Sequence, residues 1–442
     1  MSDRKSARPV SAEEAASLVK SDDWVDYGFC LGQPDRFDRA LAARRSELRN
    51  VKIRNALTLR PRAVLEEDPN CQSFCSYNWH FSGYDRKQHD LGRCNYLPMN
   101  FGETPDLYRR FIDRTDVVCI KTAPMDRDGF FNFGPNTTYH RAMTERAKLV
   151  IVETCSAMPR AVGPDNALHA SQVDYVIDGG SDPLPQLACA EPGEVERKVA
   201  SRIAEMMGDG DCLQIGIGGM PNAVCSLLRA ANLKDLGIHT EMLVDGMADL
   251  IEAGIVTNSR KATNRGLTAY SFAAGSERLY RMIDNNSALT ALSVDLTNLP
   301  AEIARNDNVV SVNNTAEVDL QGQCTSESAG YRHVSGTGGQ LQFVRGAYAS
   351  KGGRSFLCLA STYDKKGERK SRIVSTLCAG NIVTTPRTDV MYLVTEWGMV
   401  CLKGKTVAER ARAVISIAHP DFREQLERDA YALNLIPKGF CS

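Results

Sequence analysis

The sequence predicts an α/β protein made of two tandem open α/β domains of similar topology, with mostly parallel sheets. Short apolar runs alternate with helical segments, as at Val117 to Lys121, Leu149 to Glu153 and Val173 to Ile177. This alternation is typical of parallel strands joined by crossover helices. The chain has 442 residues, which is more than one ordinary core holds, and one pattern of elements occurs twice. We therefore expect two domains of related design.

The composition excludes several classes of protein. A hydrophobic fraction of 43% with 24% charged residues is typical of a soluble globular protein. The net charge of −1 provides no general attraction to nucleic acid or anionic lipid. No apolar stretch approaches the ~20 residues that span a bilayer, and residues 1–14 lack the apolar run of a signal peptide. We expect a cytoplasmic protein with no nucleic-acid or membrane partner.

The cysteines and histidines show no metal-binding spacing. The fourteen cysteines are scattered, Cys71 and Cys75 are the closest pair, and no C-x-x-C occurs. Zinc-ribbon and thioredoxin sites therefore lack their ligands. We expect reduced, mostly buried thiols and no metal site.

The first half opens with a capping box. Ser11 can bond the third helical amide while Glu14 reaches back, so a helix is predicted from here to about Lys20. The elements predicted next are a strand over Trp24 to Phe29, a helix over Asp38 to Leu48 and a strand over Val51 to Arg54.

The second half repeats this order. A helix is predicted over Glu194 to Met207, a strand over Cys212 to Ile215, and a helix starting near Asn222. A shift of 187 positions places Gly32-Gln33-Pro34 on Gly219-Met220-Pro221, because 219 − 32 = 187. Without gaps, the same shift places Arg54 on Glu241. We interpret the pattern as an internal duplication of one α/β unit.

The boundary between the two domains is predicted near residue 190. Proline and glycine cluster over residues 179–193, and a strong helix pattern follows directly. We assign residues 1–190 to an N-terminal domain and residues 191–442 to a C-terminal domain that carries Glu241. A single ligand site at the domain interface is the expectation for two halves with one such carboxylate.

The loop Gly216-Ile217-Gly218-Gly219-Met220-Pro221 is the first candidate for chemistry. Closely spaced glycines expose backbone amides and admit a ligand without steric hindrance from a Cβ. The following helix adds a dipole that favours negative charge. Pro221 replaces the last glycine of a dinucleotide fingerprint, and no P-loop lysine follows. The alternative is a simple tight turn between a strand and a helix.

Glu241 is the second candidate. It lies among Ile238, Met242 and Leu243 on a predicted buried strand, where a carboxylate is expensive to desolvate. Such a residue is either paired, for instance with Arg54, or used in chemistry. At the carboxyl end of a strand in an open α/β sheet it would lie where such folds bind ligands.

Two further segments could bind a phosphate-bearing ligand. Residues 335–340 form a second glycine-rich loop, which is otherwise a turn. A basic cluster then follows between two apolar runs, and its alternatives are a solvated hairpin tip and a phosphate pocket. The cluster comprises Lys365, Lys366, Arg369, Lys370 and Arg372.

Taken together, these residues resemble the class I coenzyme A transferases of the acetyl-CoA hydrolase/transferase family. The resemblance covers nearly the whole chain through the motifs CLQIGIGGMPNAV, DLGIHTEMLVDG, SVNNTAEVDLQGQ, SGTGGQLQFVRGAY, SRIVSTLCAGNIVTT, VTEWGMVCLKGK and ISIAHPDFREQL. Within the family, DWVDYGFCLGQP and APMDRDGFFNFGPN are most similar to the butyryl-CoA branch, and 4-hydroxybutyrate CoA-transferases are related to it.

The resemblance implies specific roles for residues. Glu241 would be the nucleophile that carries CoA as a glutamyl thioester. Ala316 and Gly339 fall on CoA-contact positions of the family, and of the neighbouring Lys365 and Lys366 we choose Lys366 as a further contact. The glycine loop would contact CoA and supply amides to the oxyanion through Gly216, Ile217, Gly218, Gly219 and Met220. CoA would be substrate and covalent intermediate, with no tightly bound cofactor.

The implied reaction moves CoA from a short-chain acyl-CoA, such as butyryl-CoA, to a free carboxylate such as acetate by a ping-pong route. The alternatives are an acyl-CoA hydrolase and a transferase for 4-hydroxybutyrate, succinate or itaconate. A dicarboxylate such as succinate or itaconate would be accepted if Arg54, Arg60 or Arg62 lines the acyl pocket. A non-enzymatic CoA-binding protein is disfavoured by Glu241 beside two glycine loops. The resemblance also implies a homo-oligomer.

Overall fold

The computed structural model describes residues 7–187, 191–216 and 219–437. The chain separates into two units. Unit 1 comprises Met1–Ala188, Glu241–Val244 and Leu267–Thr297, and unit 2 comprises Cys189–Thr240, Asp245–Gly266 and Asn298–Ser442. Unit 1 therefore includes two segments from beyond residue 190, and the division of the domains at that residue remains a prediction.

Strands and helices alternate along most of the chain, as the apolar runs predicted. The strands are β1 (Arg8–Pro9), β2 (Trp24–Tyr27), β3 (Val51–Asn55), β4 (Phe74–Asn78), β5 (Cys94–Tyr96), β6 (Val117–Thr122), β7 (Phe130–Asn132), β8 (Leu149–Thr154), β9 (Ala167–His169), β10 (Tyr175–Asp178), β11 (Cys212–Ile215), β12 (Gly237–Leu243), β13 (Thr268–Ala273), β14 (Leu289–Ala291), β15 (Val309–Asn314), β16 (Glu317–Asp319), β17 (Cys324–Thr325), β18 (Ser328–Ala329), β19 (Arg332–His333), β20 (Arg354–Cys358), β21 (Thr362–Lys365), β22 (Glu368–Ser371), β23 (Ile373–Val374), β24 (Tyr392–Thr395) and β25 (Gly398–Cys401). The helices are α1 (Ala12–Ser17), α2 (Arg36–Ala43), α3 (Ala63–Glu66), α4 (Gly83–Asp90), α5 (Thr104–Arg110), α6 (His140–Arg146), α7 (Glu194–Ala204), α8 (Gly219–Ala230), α9 (Asp245–Glu252), α10 (Glu277–Ile283), α11 (Val294–Asn298), α12 (Pro300–Ile303), α13 (Gln340–Ala349), α14 (Val407–Ser416) and α15 (Pro420–Ala432).

Unit 1 is built on a parallel sheet with the strand order β1-β10-β8-β6-β2-β3-β4-β5. All six residues of β6 are buried, because helices cover both faces of such a sheet. The chain adds strands outward from β2 in one direction and from β6 in the other. The carboxyl ends of β2 and β6 therefore meet at a topological switch point, where open α/β sheets commonly bind ligands.

The ends of the helices follow their capping residues. Ser11 and Glu14 form the predicted capping box of α1. The helix predicted over Asp38 to Leu48 ends earlier, at Ala43. The reason is tertiary, because the Arg44 guanidinium donates to the carbonyl oxygens of Ala16 and Val19 and the chain leaves the helix in tight turns.

In unit 2 the parallel strands follow the order β12-β11-β15-β20-β24, and β25 joins β24 in the antiparallel direction. A hydrophobic core lies beneath β20 and β24 and includes Leu357, Leu393 and residues of α14. The strands β21 and β22 form a separate antiparallel pair.

The two halves share one strand order. Parallel strands run β3-β2-β6-β8-β10 in unit 1 and β12-β11-β15-β20-β24 in unit 2, with corresponding positions in chain order. The predicted fold class, two α/β domains of similar topology with mostly parallel sheets, is confirmed. The shared order supports the internal duplication.

Candidate functional site

The glycine segment joins a buried strand to a helix, as predicted. Strand β11 ends at Ile215, and the Gly216 N–H donates to the carbonyl oxygen of Val312 at 2.9 Å. Helix α8 begins at Gly219, earlier than the predicted start near Asn222, so Gly219 lies at the helix N-terminus. Met220 is buried in the first turn. Ile217 and Gly218 lie outside the described residues.

Glu241 lies in the carboxyl half of β12. Its side chain is half-buried, whereas its neighbours Thr240 and Met242 are buried. Adjacent residues of a strand point to opposite faces, so Glu241 faces away from those two neighbours. A half-buried carboxylate near the carboxyl end of a strand in an open α/β sheet lies where such folds bind ligands, which keeps Glu241 a candidate reactive group. It belongs to unit 1, whereas the other predicted site residues that the structure describes belong to unit 2.

Arg54 is committed to a different carboxylate. Its Nε and Nη2 donate to Asp26 at 2.6 and 2.7 Å, and Tyr108 donates its hydroxyl to the same carboxylate at 2.6 Å. Burial lowers the pKa of the Arg54 guanidinium, but the charge and hydrogen bonds of Asp26 outweigh burial, and the net pKa is raised. The alternative in which Arg54 pairs with Glu241 is therefore wrong, and Arg54 is poorly placed to receive a substrate carboxylate.

The other two arginines considered for an acyl pocket surround Asp35. Arg60 and Arg62 contact this carboxylate at 2.7 and 2.9 Å, and Lys121 also bonds it. Burial alone would raise the pKa of Asp35, but Lys121 and Arg62 lower it to about 2. A small cavity borders Arg60, Arg62 and Lys121. Glu153 also lies 4.0 Å from Lys121, so Asp35 and Glu153 together offset part of the charge of these three cations.

The segments that carry Ala316 and Gly339 are linked by hydrogen bonds in unit 2. Ala316 follows the end of β15, and Gly339 is the N-cap of α13. The Gln340 amide donates to Ser326 Oγ at 2.9 Å, and Ser326 Oγ donates to Thr315 Oγ1 at 3.2 Å. These bonds join the loop after β15 to the start of α13. Since β15 pairs in parallel with β11, Ala316 and Gly216 follow the carboxyl ends of adjacent strands.

A polar network beneath Gly216 was missed by sequence reasoning. The side chains of Gln214 and Asn313 bond each other twice, at 3.2 and 3.0 Å. Ser311 Oγ donates to Gln214 at 2.7 Å and accepts from Asn313 at 2.9 Å. A Cβ added at Gly216 would lie 3.5 Å from Asn313 Oδ1. The available signal was a polar side chain near the end of each of two apolar strands.

The basic cluster divides into exposed and half-buried members. Lys365 and Lys366 are exposed at the turn between β21 and β22, where Lys366 has a φ of 57°. These two lysines therefore lie at an exposed hairpin tip, and a role for either of them in binding phosphate stays a prediction. Arg372 lies beyond the hairpin and donates from Nη1 to the Ala316 carbonyl oxygen at 3.0 Å.

Two features are absent from the described residues. Over the described ranges, no helix combines the length and the apolar character needed to cross a membrane. Among those same residues, no three His, Cys, Asp or Glu side chains are grouped so that they could hold a metal ion.

Comparison with known proteins defines the class. The acetyl-CoA hydrolase/transferase N-terminal domain matches residues 4–186, and the C-terminal domain of the same family matches residues 275–430. The chain is 47% identical over 431 residues to the probable butyrate:acetyl-CoA coenzyme A-transferase of Syntrophomonas wolfei, covering 97% of this chain and 96% of the relative. It is 44% identical over 423 residues to the butyryl-CoA:acetate CoA-transferase of Anaerostipes caccae, covering 95% of each.

The fold agrees with this class. The crystal structure of RipA from Yersinia pestis superposes with a TM-score of 0.90 at 36% identity, covering 97% of this chain and 98% of that one. The chain belongs to the acetyl-CoA hydrolase/transferase family and is an enzyme of the CoA-transferase type.

Proposed function

We propose that this enzyme transfers CoA between butyryl-CoA, or a similar short-chain acyl-CoA, and a free carboxylate such as acetate. The observation that carries the proposal is the similarity, over nearly the whole chain, to two relatives named for butyrate and acetate CoA transfer. Glu241 and the glycine segment supply the chemical groups that such a transfer needs. We also expect a homo-oligomer, to be measured by light scattering.

The reaction would proceed in two covalent stages. The Glu241 carboxylate attacks the acyl-CoA carbonyl, the carbon–sulfur bond breaks, and an acyl-glutamyl anhydride and a CoA thiolate form. The thiolate then attacks the glutamyl carbonyl and releases the free acid. An incoming carboxylate reverses both steps and leaves as the new acyl-CoA. Each step has a good leaving group, so one thioester supplies the free energy of the next and the kinetics are ping-pong.

Backbone amides would stabilise the tetrahedral intermediates. These intermediates place negative charge on oxygen, and Gly216 and Gly219 flank the segment at the start of α8, where the helix dipole also favours that charge. Ala316, Gly339 and Lys366 would contact the CoA moiety. Their assignment depends on the family resemblance, and Ala316 and Gly339 lie in one hydrogen-bonded region of unit 2.

The decisive experiment traps the intermediate. Enzyme incubated with butyryl-CoA is reduced with borohydride, digested and analysed by mass spectrometry. We expect conversion of the Glu241 carboxyl group to an alcohol. The matched control is Glu252→Gln, which alters an exposed glutamate at the end of α9 and should leave the adduct unchanged. Absence of any adduct at Glu241 in active enzyme would contradict the mechanism.

The acceptor acid separates transferase from hydrolase. Free CoA and acyl-CoA products are measured with butyryl-CoA in the presence and absence of acetate, and then with a panel of 4-hydroxybutyrate, succinate and itaconate. We expect acetyl-CoA to form and little free CoA to appear without an acceptor. Equal release of CoA with and without an acceptor acid would favour the hydrolase instead.

A further inference from the structure

The cations around the β21–β22 hairpin differ in what they bond. Arg369 bonds Asp421 at 3.0 Å, and Lys370 contacts Glu368 on its own strand. Lys365 and Lys366 stand exposed at the turn. Exposed ion pairs are screened by water and salt, so the pairing of Arg369 and of Lys370 does not hold either side chain rigidly.

Arg372 differs from them in burial and in partners. Its side chain is half-buried, Nη1 donates to the Ala316 carbonyl oxygen at 3.0 Å, and the guanidinium carbon lies 4.9 Å from the centre of the Tyr363 ring. Within the described parts of the chain, no carboxylate oxygen lies within 4.0 Å of this guanidinium. The nearby Glu317 carboxylate instead accepts from the Asn381 amide at 2.7 Å.

The position of Arg372 is fixed by its backbone. Its N–H donates to the Ser361 carbonyl oxygen at 2.8 Å, and its carbonyl oxygen accepts from the Val318 N–H at 3.0 Å. Ser361 is held in turn by the Glu396 carboxylate, which accepts its N–H at 2.9 Å. These bonds fix the backbone, and the bond from Nη1 to Ala316 orients the side chain, so binding a ligand orders this cation at a smaller entropic cost.

The chemistry of this group suits a phosphate. A guanidinium carries five N–H donors in a rigid plane, and among the described residues only the Ala316 carbonyl oxygen accepts from one of them. The remaining donors can form paired bonds to phosphate oxygens, and the Tyr363 ring lies close to the guanidinium group. A lysine at the exposed turn would interact mainly as a flexible point charge.

We propose that Arg372 binds a phosphate group of coenzyme A. The proposal rests on the proposed function, in which Ala316 contacts CoA, and it adds a residue that this resemblance did not assign. Coenzyme A offers a 3′-phosphate on the ribose and a diphosphate, and both are dianionic or nearly so at neutral pH. Arg372 is then the principal phosphate contact in this region, ahead of Lys365 and Lys366.

The experiment compares three donors, butyryl-CoA, its 3′-dephospho form and butyryl-pantetheine, with wild-type enzyme and with Arg372→Gln. Loss of charge-assisted hydrogen bonds should raise KM for butyryl-CoA about 10- to 100-fold with little change in kcat. Butyryl-pantetheine has neither the ribose 3′-phosphate nor the diphosphate, so its KM should not change. If the 3′-phosphate is the partner, the KM for the dephospho donor is likewise unchanged by the substitution; if the diphosphate is, it rises.

Two further variants separate binding from folding. Arg372→Lys keeps the charge and should recover part of the lost affinity. Arg369→Gln, on the same hairpin but paired with Asp421, should change KM less than twofold. An equal loss with butyryl-pantetheine, or no loss with butyryl-CoA, would overturn the role of Arg372. Failure of the proposed function would be visible separately, as wild-type enzyme that moves CoA to no acceptor acid.

Discussion

Strand β2 of unit 1 and strand β11 of unit 2 occupy the same place in the shared strand order. They end in the same way but carry different side chains. In unit 1 the Gly28 N–H donates to the carbonyl oxygen of Cys119 at 3.1 Å, and in unit 2 the Gly216 N–H donates to that of Val312 at 2.9 Å. Each glycine directly follows its strand, so Gly28 corresponds to Gly216. From this corresponding pair the two units can be compared residue by residue.

The comparison corrects the gap-free shift. Asp26, two residues before Gly28, pairs with Arg54. Leu213 pairs with Ile238, so the next step along the same two strands places Gln214, two residues before Gly216, opposite His239. Arg54 therefore corresponds to His239, and Glu241 corresponds to Ala56. The shift of 187 is wrong by two residues in this strand, because the segments that connect the paired strands differ in length.

The loops after the two glycines also differ. In unit 1 the Phe29 N–H donates to His140 Nε2 at 2.8 Å, and the Gly32 N–H donates to the Phe29 carbonyl oxygen at 2.8 Å. The chain then forms a short 3₁₀ turn, and α2 starts eight residues after Gly28. In unit 2 helix α8 starts three residues after Gly216. In unit 1 the N–H groups of Phe29 and Gly32 are therefore used in bonds within the protein. They are not available to bind an anion.

In unit 1 a buried carboxylate also accepts hydrogen bonds from the N–H groups at the start of α2. Glu153 is buried and accepts the N–H groups of Asp35, Arg36 and Phe37 at 2.8 to 2.9 Å, at the start of α2. The ladder pairs Lys121 with Glu153 in unit 1 and the corresponding Asn314 with Cys358 in unit 2. Unit 2 thus carries no acid at the position of Glu153. At this position the two units therefore differ, since unit 1 fills it with its own buried carboxylate and unit 2 does not.

The largest effect should come from moving the glutamate between the halves. Glu241→Ala should lower the transferase rate by about 10⁴- to 10⁶-fold, as expected for loss of a covalent nucleophile. Adding Ala56→Glu to that variant places a carboxylate at the corresponding position and should restore nothing, because Ala56 is fully buried. The measurement is exchange of labelled acetate into acetyl-CoA. Recovery of activity in the double variant would show that the halves are interchangeable.

The charged pair of unit 1 provides the next test. Asp26→Asn breaks a buried pair with Arg54 and should lower the free energy of unfolding by about 3–5 kcal/mol, because it leaves an uncompensated charge. In unit 2, Gln214→Met removes neutral bonds and should cost about 1–3 kcal/mol. Urea titration at pH 7 measures both. Equal losses in the free energy of unfolding would contradict the distinction between the charged pair of unit 1 and the neutral bonds of unit 2.

Local patterns in the sequence predicted much of the fold but little of the site geometry. The apolar run of β6 and the Ser11 capping box depend on neighbouring residues, and both are found as predicted. The bonds between Gln214 and Asn313 join residues 99 positions apart, so no local pattern could reveal them. The correspondence of Glu241 to Ala56 depends on loop lengths, which a gap-free comparison ignores.

The buried side chain of His140, which accepts the Phe29 N–H, should make the stability of the enzyme depend on pH. Burial lowers the pKa of His140 to about 3, from an ordinary value near 6.5, so the folded enzyme holds it neutral. Below pH 6.5 the unfolded chain binds the proton and the folded enzyme does not, so stability falls as the pH decreases. Between pH 6.5 and 4.5 the loss should be about 2–3 kcal/mol. His140→Gln should reduce this slope in urea titrations, and an unchanged slope would exclude His140 as its source.

The smallest expected effect compares the helix caps of the two units. Ser11 caps α1 in unit 1 and Thr406 caps α14 in unit 2, each within a capping box completed by a glutamate. Replacing either residue by alanine removes one bond to a helical amide and should cost about 1 kcal/mol. Both caps are exposed and bond only neighbouring residues. The losses of stability should therefore be similar even though the central strands of the two units carry different side chains. A much larger loss at one cap, measured by thermal unfolding, would mean that the asymmetry of the units extends beyond their central strands.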